Sequence, residues 1–503
     1  MPQETFKGQV RVAARIIDLL SSGLYPNPAA CLKELINNAY DADATLVEVF
    51  VKPEADQIVI RDNGDGFTKK IFKEHFSNVS ESSKRKVSDQ TSKGRKKIGK
   101  IGIGFIAANE LCEEVEVFST CKGSTDLMHV TLNFSEMSKP PEERRGEDGK
   151  YRKADYSGVI SSDVKKSEHY TELYLKKVKG EARRILTSAL SVTSDAKDEK
   201  KQGVSLYGLY PETVEQKLQD RGLRNWEDFD FYSQTMLQVA LNIPIQYHEN
   251  WHPDIGELSY IESITQEVQK EKFSVKYDGS DLRKPIVLHS DRKYISEQFH
   301  FSSKKVSAKG HFFATHGTLL PSELQGLLIR IRGSAVGTYS SNFLGFPQSE
   351  ATLFQRWITC EIYASDELEE AMNIDRVTFR DTHPAYVELR NEIFKQLRAF
   401  LKRVHDELYI QNRDKKRQQK HLQSIHEIRK ITEEKISQTS PSVAKSIEKS
   451  WTEKEIQHRK IVKNYSPWEV LEMVSDTAQQ ILPKPLFEKL MSQINERLLG
   501  RKE

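Results

Sequence analysis

The stretch Leu32-Lys33-Glu34-Leu35-Ile36-Asn37-Asn38-Ala39-Tyr40-Asp41-Ala42-Asp43-Ala44 decides how the rest of the chain is read. As a helix it brings Glu34, Asn38 and Asp41 to one face, because residues three and four apart are neighbours along the axis. Leu35, Ile36 and Ala39 are left to pack behind them. An acid, an amide and a second acid on a shared face suit a metal ion and an ordered water. A solvated helix face is the alternative that this stretch alone leaves open. Pro28, following the break at 22–27, suits the first turn of such a helix.

Two glycine-bearing segments follow. Asp62-Asn63-Gly64-Asp65-Gly66-Phe67 comes directly after the alternating run 57–61. Gly99-Lys100-Ile101-Gly102-Ile103-Gly104-Phe105 opens an Ala-rich helix start at Phe105-Ile106-Ala107-Ala108. Glycines there let backbone N–H groups approach phosphate oxygens, and a helix N-terminus adds a favourable dipole. One glycine-rich turn says little. The ordered set Glu-x3-Asn-x2-Asp-Ala, Asp-x-Gly-x-Gly and Gly-x2-Gly-x-Gly, within one domain's length, says much more.

At these residues the chain resembles the GHKL ATPase superfamily (gyrase B, heat-shock protein 90, histidine kinases and MutL). The wording is closest to its MORC-like and heat-shock-protein-90-like branches, and the motifs span roughly residues 25–175. The resemblance implies an α+β protein. An N-terminal Bergerat-type α/β sandwich, with a mixed sheet and helices on one face, precedes an α/β transducer-like domain and a helical C-terminal region. The expected limits are 1–250 (with a lid at about 68–98), 251–383 and 384–503.

The resemblance also implies ATP as ligand and Mg²⁺ as its metal. Glu34 is then the base for the attacking water and Asn38 the metal ligand, while Asp41 supports the binding face by hydrogen bonding. Asp62 accepts from the adenine amino group; a carboxylate acceptor suits adenine better than guanine, whose corresponding oxygen would repel it. Gly64 and Gly66 let the base approach, and Gly99, Lys100, Gly102, Gly104 and Phe105 form the phosphate segment. Thr171, in Tyr170-Thr171-Glu172, takes the place of the superfamily's threonine near adenine, although Tyr170 stands where glycine is usual.

Ala371-Met372-Asn373-Ile374-Asp375-Arg376 resembles the catalytic loop of the heat-shock-protein-90 middle domain, which implies that Arg376 reaches the terminal phosphate. The alternative is a surface arginine beginning a helix. Gyrase and MutL relatives use a lysine instead, for which Lys304 or Lys305 is the fallback.

Composition sets the outer limits. A chain of 503 residues needs two or three domains. Charged residues at 30% and hydrophobic ones at 37% suit a soluble protein, and a net charge of +3 implies no wholesale attraction to nucleic acid. Cys31, Cys112, Cys121 and Cys360 have neither zinc nor disulfide spacing, so a reducing cytoplasm is expected. No signal peptide or membrane-spanning run is visible, and no membrane partner is expected.

Periodicity predicts a helix over 10–21, a hairpin of 46–51 with 57–61, and strands at 114–120, 128–134 and 172–176. It predicts helices over 183–202 and 232–241, a short strand at 243–247, and a charged insertion at 140–155. A second sheet is expected from 273–277, 309–314, 327–332 and 354–362, followed by helices with a basic run at 413–420. Three functions fit. The first is an ATP-gated homodimeric clamp, acting on DNA in the MORC manner; some members of that branch serve defence against foreign DNA. The second is a chaperone-like clamp on protein clients. The third is an ATP-sensing regulatory module with little turnover.

Overall fold

The computed structural model describes residues 23–51, 57–77, 90–99, 104–139, 143, 156–162, 164–187, 203–220, 222–289, 292–347, 354–410 and short stretches between 418 and 499. The expected helix over 10–21, the middle of the 68–98 segment, most of the 140–155 insertion, residues 188–202 and most of the 413–420 run lie outside them. The chain divides into one compact unit through Leu408 and a second from Tyr409 onward. In the second unit, the helix Lys484–Leu499 buries Leu490 and Ile494 with Val474, Ala478 and Leu482.

The first unit is built on two mixed sheets. Strands β1 (Leu46–Phe50), β2 (Gln57–Asp62), β3 (Cys112–Thr120), β4 (Leu127–Asn133), β5 (Tyr156–Ser161), β6 (Tyr170–Val178), β7 (Ser274–Tyr277) and β8 (Ser280–Asp281) form an eight-stranded sheet in the order β5-β4-β3-β6-β2-β1-β7-β8. All neighbours are antiparallel except β1 and β7. The residues 273–277 expected in the second sheet therefore extend the first one, from beyond residue 250. The pairing is possible because β7 lies beside the central strand β1, where Val275 and Tyr277 are fully buried.

Alternation of side chains explains the buried face. Val47 and Val49 of β1, Ile58 and Ile60 of β2, Val115 and Val117 of β3, and Val130 and Leu132 of β4 point into one core. The Pro28–Asp41 helix packs there against Gly104–Ala107, Ala108–Leu111, the helix Phe231–Asn242 and β2. Asn27 caps it, its Oδ1 accepting from the Ala30 N–H at 2.9 Å, and Pro28 occupies the first turn. Leu32, Leu35 and Ile36 are buried at 0–2% exposure, each stabilising the fold by about 2 kcal/mol.

The second sheet has the order β12-β11-β13-β10-β9, from β9 (Tyr294–Ser302), β10 (Ser307–Thr315), β11 (Gly326–Ile331), β12 (Ser334–Ser340) and β13 (Ile358–Ala364). The helix Pro384–Arg403 covers it, with Phe400 stacked on Phe312 and Arg403 paired to Glu297 at 2.7 Å. A buried arginine ties the two halves together. Arg330 of β11 pairs with Glu361 of β13, and its Nη1 donates to the Leu241 carbonyl at 2.7 Å, at the end of the Phe231–Asn242 helix.

The short strand expected at 243–247 does not form. Pro244 has no N–H to donate to a ladder, and only Tyr247 makes a bridge, to Lys284.

Candidate functional site

The Pro28–Asp41 helix ends where the site begins. Its C-terminus closes with the Ala44 N–H on the Ala39 carbonyl and the Asp43 N–H on the Tyr40 carbonyl, both at 3.1 Å. This pairing puts the residue after the cap in the left-handed region, where glycine is usual. Here it is Asp43, with φ of 59°. Its carboxylate accepts from Thr91 Oγ1 at 2.5 Å, Ser92 Oγ at 2.8 Å and the Lys93 N–H at 2.9 Å. Burial pushes Asp43 up, but those three donors outweigh it and hold the carboxyl below its ordinary value. Ser92 Oγ also lies 2.9 Å from Asp65 Oδ2, of the first glycine segment, so its one proton is shared between the two carboxylates.

Asp41, on the last turn of the helix, takes the next part of the same segment. Its Oδ1 accepts from the Ile98 N–H at 2.6 Å and its Oδ2 from the Gly99 N–H at 2.8 Å. The second acid of the helix thus holds the start of the second glycine segment in place. Lys100 and Gly102 lie outside the described residues; Gly104 opens the 3₁₀ turn Gly104–Ala107 that carries Phe105.

Glu34 is buried and Asn38 half-buried on that helix. Arg376 comes to Glu34 from the loop after β13, with Nη1 3.9 Å from Glu34 Oε2 and Nη2 donating to the Ile98 carbonyl at 2.6 Å. Lys305 instead pairs with Glu388 on the covering helix at 3.6 Å. Lys33, beside Glu34, turns into the core and donates to the Ala335 carbonyl of β12 at 2.8 Å. Burial lowers Lys33 to about 8, with the Glu34 carboxylate opposing that shift.

Asp62 is placed by strand phase. It continues the buried series Ile58 and Ile60, so a carboxylate ends a row of core positions. Thr171 lies across from it on β6, and Ser119 of β3 lies across from Thr171, with their hydroxyls 3.1 Å apart. A polar row therefore crosses three adjacent strands of an otherwise apolar face. Burial raises Asp62 to about 7, opposed by the Gly64 N–H on its Oδ1 at 2.8 Å and by nearby His169. His169 Nδ1 lies 2.7 Å from the Gly64 carbonyl oxygen.

The two glycines after Asp62 are needed by the chain itself. A Cβ on Gly64 would meet the Ala42 carbonyl oxygen at 2.6 Å, just where the Asp65 N–H donates to that oxygen at 2.7 Å. Gly66 has φ of 66°, and a Cβ there would run into the Thr120 carbonyl.

Glu34, Asn38 and Asp41 thus lie along the helix from its middle to its last residue, with Gly99 held by Asp41 and Arg376 spanning Glu34 and the Ile98 carbonyl, while Asp62, Gly64, Gly66 and Thr171 gather at the end of β2. Sequence reasoning missed Asp43, Asp65, Ser92, Ser119 and His169. Of these, Asp43 carried a readable signal: an aspartate at the position after a helix cap. Among the described residues no group of three or more His, Cys, Asp or Glu could hold a metal ion. The amide oxygen of Asn38 remains a neutral, hard donor of the kind Mg²⁺ accepts beside phosphate oxygens.

Residues 26–171 match the family described as histidine kinase-, DNA gyrase B- and HSP90-like ATPase. This part of the chain belongs to the GHKL ATPase superfamily. Over 103 residues the chain is 40% identical to "Putative type II restriction enzyme HgiDII" of Herpetosiphon aurantiacus, covering 20% of this chain and 16% of that protein. It is 28% identical over 146 residues to chaperone protein HtpG of Bacillus licheniformis, covering 25% of this chain and 23% of that one. With HtpG of Rickettsia akari the identity is 30% over 152 residues, covering 26% and 24%. The chain thus spans no more than about a quarter of the length of these relatives. Among the described residues, no helix is long and apolar enough to cross a membrane.

Proposed function

We propose that the chain binds and hydrolyses ATP, and that nucleotide gates its association into a homodimeric clamp. The observation that carries this reading is the meeting of Glu34, Arg376 and the Asp41-held turn at Ile98–Gly99. Adenine fits the polar row at Asp62, Thr171 and Ser119, where a buried acceptor faces the exocyclic amine. Glu34 orients the attacking water and takes its proton as the oxygen bonds to the terminal phosphorus and the bond to the bridging oxygen breaks. Arg376 sets a fixed positive charge beside the phosphate oxygens on which charge develops. Asn38 is the residue that would hold Mg²⁺, which when bound screens the phosphate charge. Lys33, with its amine turned to Ala335, plays no direct part.

Two kinds of client are proposed. The relative named "Putative type II restriction enzyme HgiDII" is the reason for proposing DNA, in the MORC manner, with a cytoplasmic role in defence. The HtpG relatives and the Asn373-Ile374-Asp375-Arg376 loop favour a protein client instead. Light scattering with and without a non-hydrolysable ATP analogue tests the clamp: a doubling of mass with nucleotide is expected, and an unchanged mass refutes it. DNA-stimulated turnover that falls steeply with salt selects the first client. Stimulation by an unfolded protein selects the second, and absence of any stimulated turnover leaves an ATP-sensing module.

A further inference from the structure

Eight non-glycine residues have positive φ among those described, and three of them direct their side chains at one segment, 91–98. Asp43 holds its beginning and Arg376 its end. The third is Arg332, in the two-residue turn between β11 and β12, where Arg332 and Gly333 have φ of 52° and 75°. Two successive positive φ values mark the hairpin turn that normally takes Asn-Gly, Asp-Gly or Gly-Gly. Arginine gains nothing conformationally there, and such residues persist where the side chain has a task.

The side chain of Arg332 is 3% exposed and an acceptor lies close to each of its three nitrogens. Nε donates to Asp366 Oδ1 at 2.9 Å, and Nη2 lies within ion-pair distance of Glu369 Oε2, at 2.9 Å but without hydrogen-bond geometry. Nη1 donates to the carbonyl of Lys97. Asp366 also holds Lys96 Nζ at 2.7 Å, so two successive residues of the segment are gripped from the second sheet. The next residue, Ile98, gives its N–H to Asp41 and its carbonyl to Arg376.

We propose that Arg332 is a positioning residue for ATP hydrolysis: by holding the Lys97 carbonyl it fixes the Ile98–Gly99 amides on Asp41 and the Ile98 carbonyl on Arg376. This rests on the reading that the site hydrolyses ATP. Arg332 touches neither Glu34 nor any group assigned to the nucleotide; it acts through the backbone of 97–99. Its loss leaves nucleotide binding largely intact and lets the turn and Arg376 drift from the reacting geometry.

The test uses Arg332→Gly, because glycine suits this turn at least as well as arginine and the fold survives. With the full chain, kcat should fall about tenfold or more while KM for ATP stays within about threefold, since small misplacements cost rate rather than binding. The melting temperature should fall, because Asp366 and Glu369 lose their partner while glycine eases the turn, yet the chain should stay folded at assay temperature, and Arg332→Lys, which retains one donor head, should recover part of the rate. Hydrogen exchange supplies a readout independent of turnover: the variant should lose protection at the Ile98 and Gly99 amides. A wild-type kcat in Arg332→Gly, or unchanged protection at those amides, overturns the proposal. If the wild-type chain itself fails to hydrolyse ATP, the ATPase reading falls. The exchange result then decides separately whether the latch exists.

Discussion

Arg376 Nη1 lies 3.9 Å from Glu34 Oε2, and the other end of the same guanidinium donates to the Ile98 carbonyl at 2.6 Å. A loop after the last strand of the second sheet thereby reaches both the acid of the N-terminal helix and the chain entering the glycine segment. The reach needs a left-handed backbone at Arg376, whose φ is 55°.

From that contact, Arg376→Ala should slow ATP hydrolysis by about tenfold to a thousandfold with little change in affinity, in keeping with a charge that acts on the developing transition state. Arg376→Gly is the control for backbone strain, because glycine accepts the same φ. Equal loss of kcat in both variants assigns the effect to the guanidinium. An unchanged kcat in both would return Arg376 to an ordinary surface role.

Asp62 gives a pH signature. Its ordinary carboxyl value is 3.8, and burial raises it to about 7 in the folded protein. Between those values the folded chain keeps a proton that the unfolded chain has released. Stability of the nucleotide-free protein is therefore fully retained at low pH, as far as this group is concerned, and falls as pH rises through the window. Asp62→Asn removes the penalty and should be more stable than wild type at pH 8, by at most about 4 kcal/mol, with no advantage below about pH 4. The same variant should lose ATP binding. Urea unfolding of both proteins at the two pH values checks the sign; a gain that is the same at both would refute it.

Asp41→Asn keeps one acceptor oxygen but turns an NH₂ group toward an amide that needs an acceptor. Two charge-assisted hydrogen bonds to Ile98 and Gly99 are at stake, each worth about 1.5–3 kcal/mol. As for Arg332→Gly, turnover should fall about tenfold or more while ATP affinity, measured by calorimetry, stays within about threefold, and a wild-type turnover would show that the turn is held by other means.

Much of the fold and of the site is legible in the sequence, for reasons that differ by residue. The helix over Pro28–Asp41 and the alternation of β2 are local patterns, so spacing alone assigns Glu34, Asn38, Asp41 and Asp62 to their faces. The mixed sheet and the strands β3, β4, β6 and β10 follow from the same alternation, and β11 and β13 from apolar runs. What periodicity cannot supply is pairing between distant segments. The residues of β7 read as part of the second sheet because nothing in Phe273–Tyr277 names β1 as their neighbour. The apolar run at 243–247 reads as a strand, and only the missing N–H of Pro244 and the lack of a partner strand argue against it. Arg332 is hidden for a related reason: it reads as the last residue of the strand expected at 327–332, and its significance lies in the carbonyl it meets more than two hundred residues upstream, at Lys97.

The most direct test of the account is ATP turnover and ATP binding measured together for the wild type and Glu34→Ala. The account predicts that the wild-type chain hydrolyses ATP and that Glu34→Ala loses about a hundredfold or more in kcat, as expected for removal of a general base, while binding ATP within about threefold of the wild-type affinity, since Glu34 acts on water rather than on the nucleotide. Hydrolysis by Glu34→Ala at the wild-type rate would contradict it.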